Sequence, residues 1–428
     1  MNSLSSVFKH TLFRNGFLYT ASNVIRNAIP FFLLPVLTRY LTPADYGVVA
    51  TFQVLLAVAM VFVGLRLSGA VSVNFFKLSR EELKVYIANV IFIETVAFFL
   101  IVGIIYFCAG YLSVFLKFPR NWLLIVVVIA FSRSILTINL SLWQAEQKVL
   151  SYGMFQILQT VVDVGLSLFF VAVLGWKWQG RLSGVLASSA VFAFLGVVII
   201  CKRKYIRLSF NKAHISNALF FGIGLIPAAL GGWIITGIDR IFINSMVGVS
   251  ATGIYVVGYQ VGLIISILAI AFNQTWAPFL FEKLKEDNYS TKLKIVKFTY
   301  LYFITITAFA LIVSFFAPVF LRVFVGKSFQ PAYKYVLWIA LGYAANGMYF
   351  MVVNYIFYVE KTYLLSLPIF SSAIANVILN YFLIKANGPI GAAQATTISF
   401  FLSFVLTWFL SARVYKMPWL IVKPGKTA

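Results

Sequence analysis

Long apolar runs follow one another along the whole chain, separated by short polar punctuation and by no stretch long enough to form a soluble domain. A membrane-crossing helix needs about 20 mostly apolar residues, at 1.5 Å per residue across about 30 Å of hydrocarbon. Runs of that kind predict twelve spans, near residues 14–38, 44–72, 85–113, 121–144, 149–174, 181–201, 215–245, 251–279, 294–321, 331–358, 363–384 and 389–412. Pro43 forces a break at the start of the second. The predicted fold class is therefore an all-α integral membrane protein of twelve transmembrane helices. The basic stretch Lys202 to Lys212 divides it into two six-helix bundles, residues 1–208 and 209–428.

Composition agrees. Of 428 residues 62% are hydrophobic and 11% charged, whereas a soluble fold carries about a quarter charged residues to cover its surface. Lys and Arg number 34 against 11 Asp and Glu, a formal net charge of +23. Nucleic-acid binding is excluded, because no soluble face exists to display that charge. With both termini cytoplasmic, 21 of the 34 basic residues fall on the cytoplasmic side and nine on the other, including Lys177 and Arg181, with four inside spans. That asymmetry sets the orientation. No cleavable signal is expected, since the first apolar run is too long for one. Cys108 and Cys201 fall on opposite sides of the membrane and cannot form a disulfide.

Inside the spans lie Arg26, Arg66, Arg133 and Arg240 with Glu94, Asp163 and Asp239. Each costs about 2.5 to 3.5 kcal/mol at mid-bilayer, so they must pair or line a hydrated cavity. Helical periodicity favours a cavity for several of them. Arg133, Thr137, Ser141 and Gln144 share one face of the fourth span, and Gln156, Thr160, Asp163 and Ser167 share one face of the fifth. The first span offers Ser22, Asn23, Arg26 and Asn27. Arg66 and Arg240 have the alternative of snorkelling to an interface.

The second half carries neutral groups instead: Asn273, Gln274, Asn346, Asn354, Asn376 and Asn380, with Ser372, Asn376 and Asn380 at a four-residue repeat. Such amides suit a hydroxyl-rich ligand, and they equally bond helices to one another. Pro227 and Gly231-Gly232 interrupt the seventh span and make it a candidate gating element; Pro278 predicts a similar break in the eighth. Pro43 to Val54 aligns with Ser250 to Val261 at the starts of the second and eighth spans. An offset of six spans makes these parallel repeats.

Two motifs carry a resemblance. Leu34-Pro35-Val36-Leu37-Thr38-Arg39-Tyr40-Leu41-Thr42-Pro43-Ala44-Asp45-Tyr46-Gly47 resembles the first signature of the bacterial polysaccharide-biosynthesis exporters, the Wzx-type O-antigen flippases. Asp239-Arg240-Ile241-Phe242-Ile243 with Ala251-Thr252-Gly253-Ile254-Tyr255 is similar to the second. The resemblance implies two bundles around a central cavity in the bacterial inner membrane. It also implies transfer of an undecaprenyl-pyrophosphate-linked oligosaccharide between leaflets by alternating access, with polysaccharide polymerase machinery as a partner.

On that reading Arg26, Arg66, Arg133 and Arg240 bind the anionic headgroup, and Asn273, Gln274, Asn346, Asn376 and Asn380 are sugar-contact candidates. Members of this superfamily often couple transport to a proton or sodium gradient, so Glu94, Asp163 and Asp239 are candidates for ion coupling or charge pairing. No cofactor is expected. The alternative is a multidrug antiporter of the same fold, which should line its cavity with carboxylates, yet here arginines outnumber acids within the spans. A membrane enzyme is disfavoured: no catalytic loop, metal constellation or nucleophile triad is present, and His10 and His214 sit at helix starts.

Overall fold

The computed structural model describes residue 29 and residues 33–420. Arg26 and the rest of the first-span stripe lie outside them. Every regular element among the described residues is helical, and eleven helices, some in two segments, are long and apolar enough to cross a membrane. In chain order these elements are α1 (33–40), α2 (Pro43–Gly64), α3 (Leu67–Asn74), α4 (Arg80–Phe115), α5 (Arg120–Ala145), α6 (Val149–Leu168) and α7 (Lys177–Lys202). They continue as α8 (Lys212–Met246), α9 (Val249–Gly262), α10 (Ile264–Leu284), α11 (Tyr289–Phe324), α12 (Tyr333–Tyr358), α13 (Ser366–Asn387) and α14 (Pro389–Val414).

The first signature is the start of a helix. Thr42 is the N-cap of α2, Pro43 takes the first helical position, and Asp45 completes a capping box: its backbone N–H donates to the Thr42 hydroxyl at 3.2 Å, and its carboxylate accepts from the Thr42 N–H at 3.0 Å. Gly47 follows because a Cβ there would lie 2.0 Å from the Val249 carbonyl oxygen, and a Cβ at Gly253 would lie 2.0 Å from that of Pro43. The contact is reciprocal. Pro43 stands to Val249 as Gly47 stands to Gly253, so the repeat register is 206 residues, one fewer than the sequence alignment gave. Gly47→Ala or Gly253→Ala should therefore destabilise the protein by about 1–3 kcal/mol. A lowered midpoint of thermal unfolding in detergent checks this, and an unchanged midpoint would show that the two helix starts yield.

Two further pairs of elements keep the repeat. α4 and α11, the third and ninth spans, each run 36 residues. α5 and α12, the fourth and tenth, each run 26 residues and are the spans most enclosed by their neighbours. Packing divides the chain into two compact units, residues 1–233 with 247–253, and residues 234–246 with 254–428. In the first unit α5 packs against α2, α4 and α7, and α6 packs on α7; in the second α12 packs against α10, α11 and α14.

Several expected breaks move. The second span is not continuous, because Leu65 and Arg66 both adopt left-handed backbone (φ 44° and 56°) between α2 and α3. Gly222 of α8 packs on the Leu65 carbonyl there, where a Cβ would come within 2.2 Å. Conversely, α8 remains helical through Pro227 and Gly231-Gly232, and α10 through Pro278. The eighth span instead breaks at Leu263, between α9 and α10. α8 passes from the first unit to the second at Trp233, directly after the glycine pair.

Candidate functional site

The polar stripes of the fourth and fifth spans face one cavity. It measures about 400 Å³ and is walled by Arg133, Thr137, Ser141 and Gln144 of α5, by Tyr152, Gln156, Gln159, Thr160 and Asp163 of α6, and by Met60 of α2. Seven of the eight stripe residues read from the sequence meet there. The eighth, Ser167, is fully buried beside it.

Asp163 is held from two sides. Arg181 donates through Nη1 to Asp163 Oδ1 at 2.5 Å and to Ser167 Oγ at 2.5 Å, while Arg133 Nη2 stands 3.9 Å from Asp163 Oδ2 and its Nε 3.4 Å from Ser189 Oγ. Arg181 belongs to the intramembrane set and not, as the loop tally had it, to the outer face: it lies one turn into α7 and is 8% exposed. Its position at the near end of an apolar run hid it. The signal that could have found it is the polar face it shares with Ser188 and Ser189, one of which already touches Arg133. Arg181 satisfies the carboxylate, so the cavity keeps a net positive charge, and the contacts of Arg133 to Asp163 and Ser189 are long. Paired charges of this kind are what a membrane interior tolerates.

A second cavity of about 230 Å³ adjoins the first, sharing Met60 and Thr137, and is lined by Arg66, Ser68, Glu94 and Ser134. Glu94 is 1% exposed, and its Oε2 has no hydrogen-bond partner among the described residues. Arg66 reaches this cavity because the left-handed break after α2 turns the chain there.

The second unit treats its polar groups differently. Tyr255 donates to Asp239 Oδ2 at 2.5 Å, Arg240 lies 3.3 Å from Asp239 Oδ1 and 4.1 Å from the Tyr259 ring centre, and the hydroxyls of Tyr259 and Tyr343 meet at 2.5 Å. This buried cluster ties the two halves of the second signature together. Asn376 and Asn380 are fully buried; Asn376 bonds Ser399 of α14 at 3.1 Å and Asn380 bonds Asn376. Asn376 thereby joins α13 to α14. Asn273 accepts from Asn354 at 2.9 Å, Asn346 is half-buried, and Gln274 is exposed.

At the end of α5 outside the membrane, Glu146 accepts from Tyr205 at 2.5 Å, lies 3.2 Å from Lys148 and pairs with Arg203. Partial burial opposes ionisation, but the Tyr205 and Lys148 hydrogen bonds and the Arg203 charge outweigh it and hold the carboxyl below its ordinary 4.5. A carboxyl depressed by folding adds stability above its unfolded pKa and loses it as pH falls through the folded one. Thermal midpoints from pH 7 to pH 3 should therefore fall further for the wild type than for Glu146→Gln. Parallel curves would contradict the pairing.

The model of a family described as "Polysaccharide biosynthesis protein" matches residues 12–284. Two Haemophilus influenzae proteins are similar along most of their length. One, described as "Uncharacterized membrane protein", is 27% identical over 82% of this chain and 85% of its own; the other, "Lsg locus putative protein 1", is 26% identical over 83% and 87%. Among solved structures, lipid II flippase MurJ in an inward closed conformation superposes with a TM-score of 0.73 at 16% identity, covering 94% of this chain and 87% of MurJ. A point mutant of the Vibrio cholerae MATE transporter VcmN gives 0.64 at 13%, covering 97% and 99%. At such identities the likeness establishes the fold. The chain belongs to the polysaccharide biosynthesis protein family, as a multi-pass membrane protein with the fold shared by MurJ and the MATE transporters.

Proposed function

We propose that the protein is a flippase that moves an undecaprenyl-pyrophosphate-linked oligosaccharide, an O-antigen or similar surface-polysaccharide repeat unit, from the cytoplasmic to the outer leaflet of the bacterial inner membrane. The observation that carries this reading is Arg133, a guanidinium lining a membrane-embedded polar cavity whose one carboxylate is already satisfied by Arg181. A planar fork of donors suits phosphate oxygens, which it engages in bidentate fashion. Thr137, Ser141, Gln144, Gln156, Gln159 and Thr160 around it are neutral donors and acceptors matched to sugar hydroxyls. They take over the sugar-contacting role from the second-half amides, of which Asn376 and Asn380 are engaged with each other. Arg26 and Arg66 add positive charge to the same half, and Glu94 is the site where ion coupling would act. The basic loops lie on the cytoplasmic side. The lipid-linked flippase activity named for MurJ agrees with this reading. A cation antiporter is disfavoured, because an organic cation would meet Arg133 beside an Asp163 whose Oδ1 Arg181 already takes.

The test is reconstitution. Purified protein in liposomes should expose a fluorescent polyprenyl-pyrophosphate-linked oligosaccharide to an added glycosidase, and should not move ethidium. Ethidium transport without glycolipid transfer would replace this reading with the antiporter.

α8 changes unit just after Gly231-Gly232, so rocking of one unit against the other would bend this helix there. A Cβ at Gly232 meets nothing within 4 Å among the described residues. Gly232→Ala should thus stabilise α8 by up to about 1 kcal/mol while slowing translocation severalfold. Unchanged transport would remove this residue from the gating element.

A further inference from the structure

The second unit holds a cavity unrelated to the Arg133 site, between the end of α10 and the start of α11, with a volume of about 830 Å³. Its walls are aromatic. Trp276 stacks on Phe298 at 4.9 Å and on Phe272 at 6.1 Å, and Phe279 lies 5.5 Å from the indole. Trp276 is 6% exposed, and its Nε1–H reaches no acceptor among the described residues, an arrangement that is costly unless something supplies one.

The mouth is charged. Lys283 pairs with Glu286 at 2.6 Å, Glu286 also accepts from Thr291 at 3.1 Å, and Lys294 makes no ion pair among the described residues. Lys285 and Lys297 are exposed nearby. This end of the molecule lies two spans beyond the basic stretch Lys202 to Lys212, hence on the same membrane face. An apolar slot with two lysines to one carboxylate at its rim, at the end of a span, is complementary to an anionic amphiphile.

We propose that this cavity is a binding site for an anionic glycerophospholipid of that leaflet. An acyl chain lies against Phe272, Trp276 and Phe298, the phosphodiester sits on Lys294 and, beside it, Lys283, and the indole N–H donates to a glycerol ester carbonyl. Glu286 offsets one of the two lysines, so the single net positive charge of the mouth matches a singly charged phosphodiester. The site is thus distinct from the one proposed for the transported substrate.

Native mass spectrometry of the full chain, with phosphatidylglycerol, phosphatidylethanolamine or a polyprenyl pyrophosphate added, tests this. One phosphatidylglycerol should be retained preferentially, with retention falling about fivefold in Lys294→Gln, as expected for one lysine at a lipid surface, and persisting in Lys294→Arg. Trp276→Phe keeps the ring stack, loses the donor, and should lower retention with the fold intact, so the proposal stands or falls even if a lysine variant is unstable. Equal retention of phosphatidylethanolamine, or indifference to both Lys294→Gln and Trp276→Phe, would overturn it. Displacement of phosphatidylglycerol by equimolar polyprenyl pyrophosphate would also overturn it, by making the cavity a substrate site. None of these outcomes depends on whether the protein flips a glycolipid.

Discussion

Replacing Arg181 with Met should destabilise the folded protein by about 3–5 kcal/mol, the cost of stranding one member of a buried ion pair. Met keeps the length and apolar bulk of the side chain, so what is lost is the pair of 2.5 Å bonds to Asp163 and Ser167. Asp163 would be left with Arg133 at 3.9 Å, too far for a hydrogen bond, in a site where its side chain is 17% exposed. Adding Asp163→Asn should recover much of the loss, because the double variant leaves no stranded carboxylate. Unfolding midpoints of the four proteins in detergent form a double-mutant cycle that reads the coupling directly. Additive effects would mean that Arg181 stabilises by packing and not by holding Asp163.

Arg133→Ala should have the opposite profile. The bond of Asp163 to Arg181 survives this change, so the loss of stability should be well below that of Arg181→Met. Translocation, however, should fall at least about 100-fold, since two charge-assisted hydrogen bonds to a phosphate are worth about 3 kcal/mol or more. Arg133→Lys keeps the charge without the planar fork and should fall between. The readouts are the liposome assay and the restoration of surface polysaccharide in a strain lacking the protein. Full polymer from a well-expressed Arg133→Ala protein would take the headgroup off this residue. Together the two substitutions separate a residue that builds the cavity from one that uses it.

Much of this cavity was legible along the chain because helical periodicity is a local property. Arg133, Thr137, Ser141 and Gln144 share a face whatever surrounds them, and so do Gln156, Thr160 and Asp163. A charged stripe in hydrocarbon has to face water or a partner. The same reasoning left the second half open between a hydroxyl-rich ligand and helix-to-helix bonding. Ser372, Asn376 and Asn380 form an equally regular stripe, and the structure shows its Asn376 bonding α13 to α14. Periodicity says which residues point together but not at what. The signatures were legible as motifs, while their physics emerged only in three dimensions: a capping box with a reciprocal glycine contact in one, and an aspartate held by a tyrosine sixteen residues on in the other.

The sequence by itself determined that this is a membrane protein of many spans and which helical faces are polar, because hydropathy and a 3.6-residue turn act over short distances. Only the tertiary structure decided that Arg181 neutralises Asp163, that Arg66 and Glu94 share a second cavity, and that Arg240 is committed to a tyrosine cluster. Those outcomes depend on which helix packs against which, and a low-dielectric interior makes the nearest countercharge, wherever it lies in the chain, decide the role of each buried group.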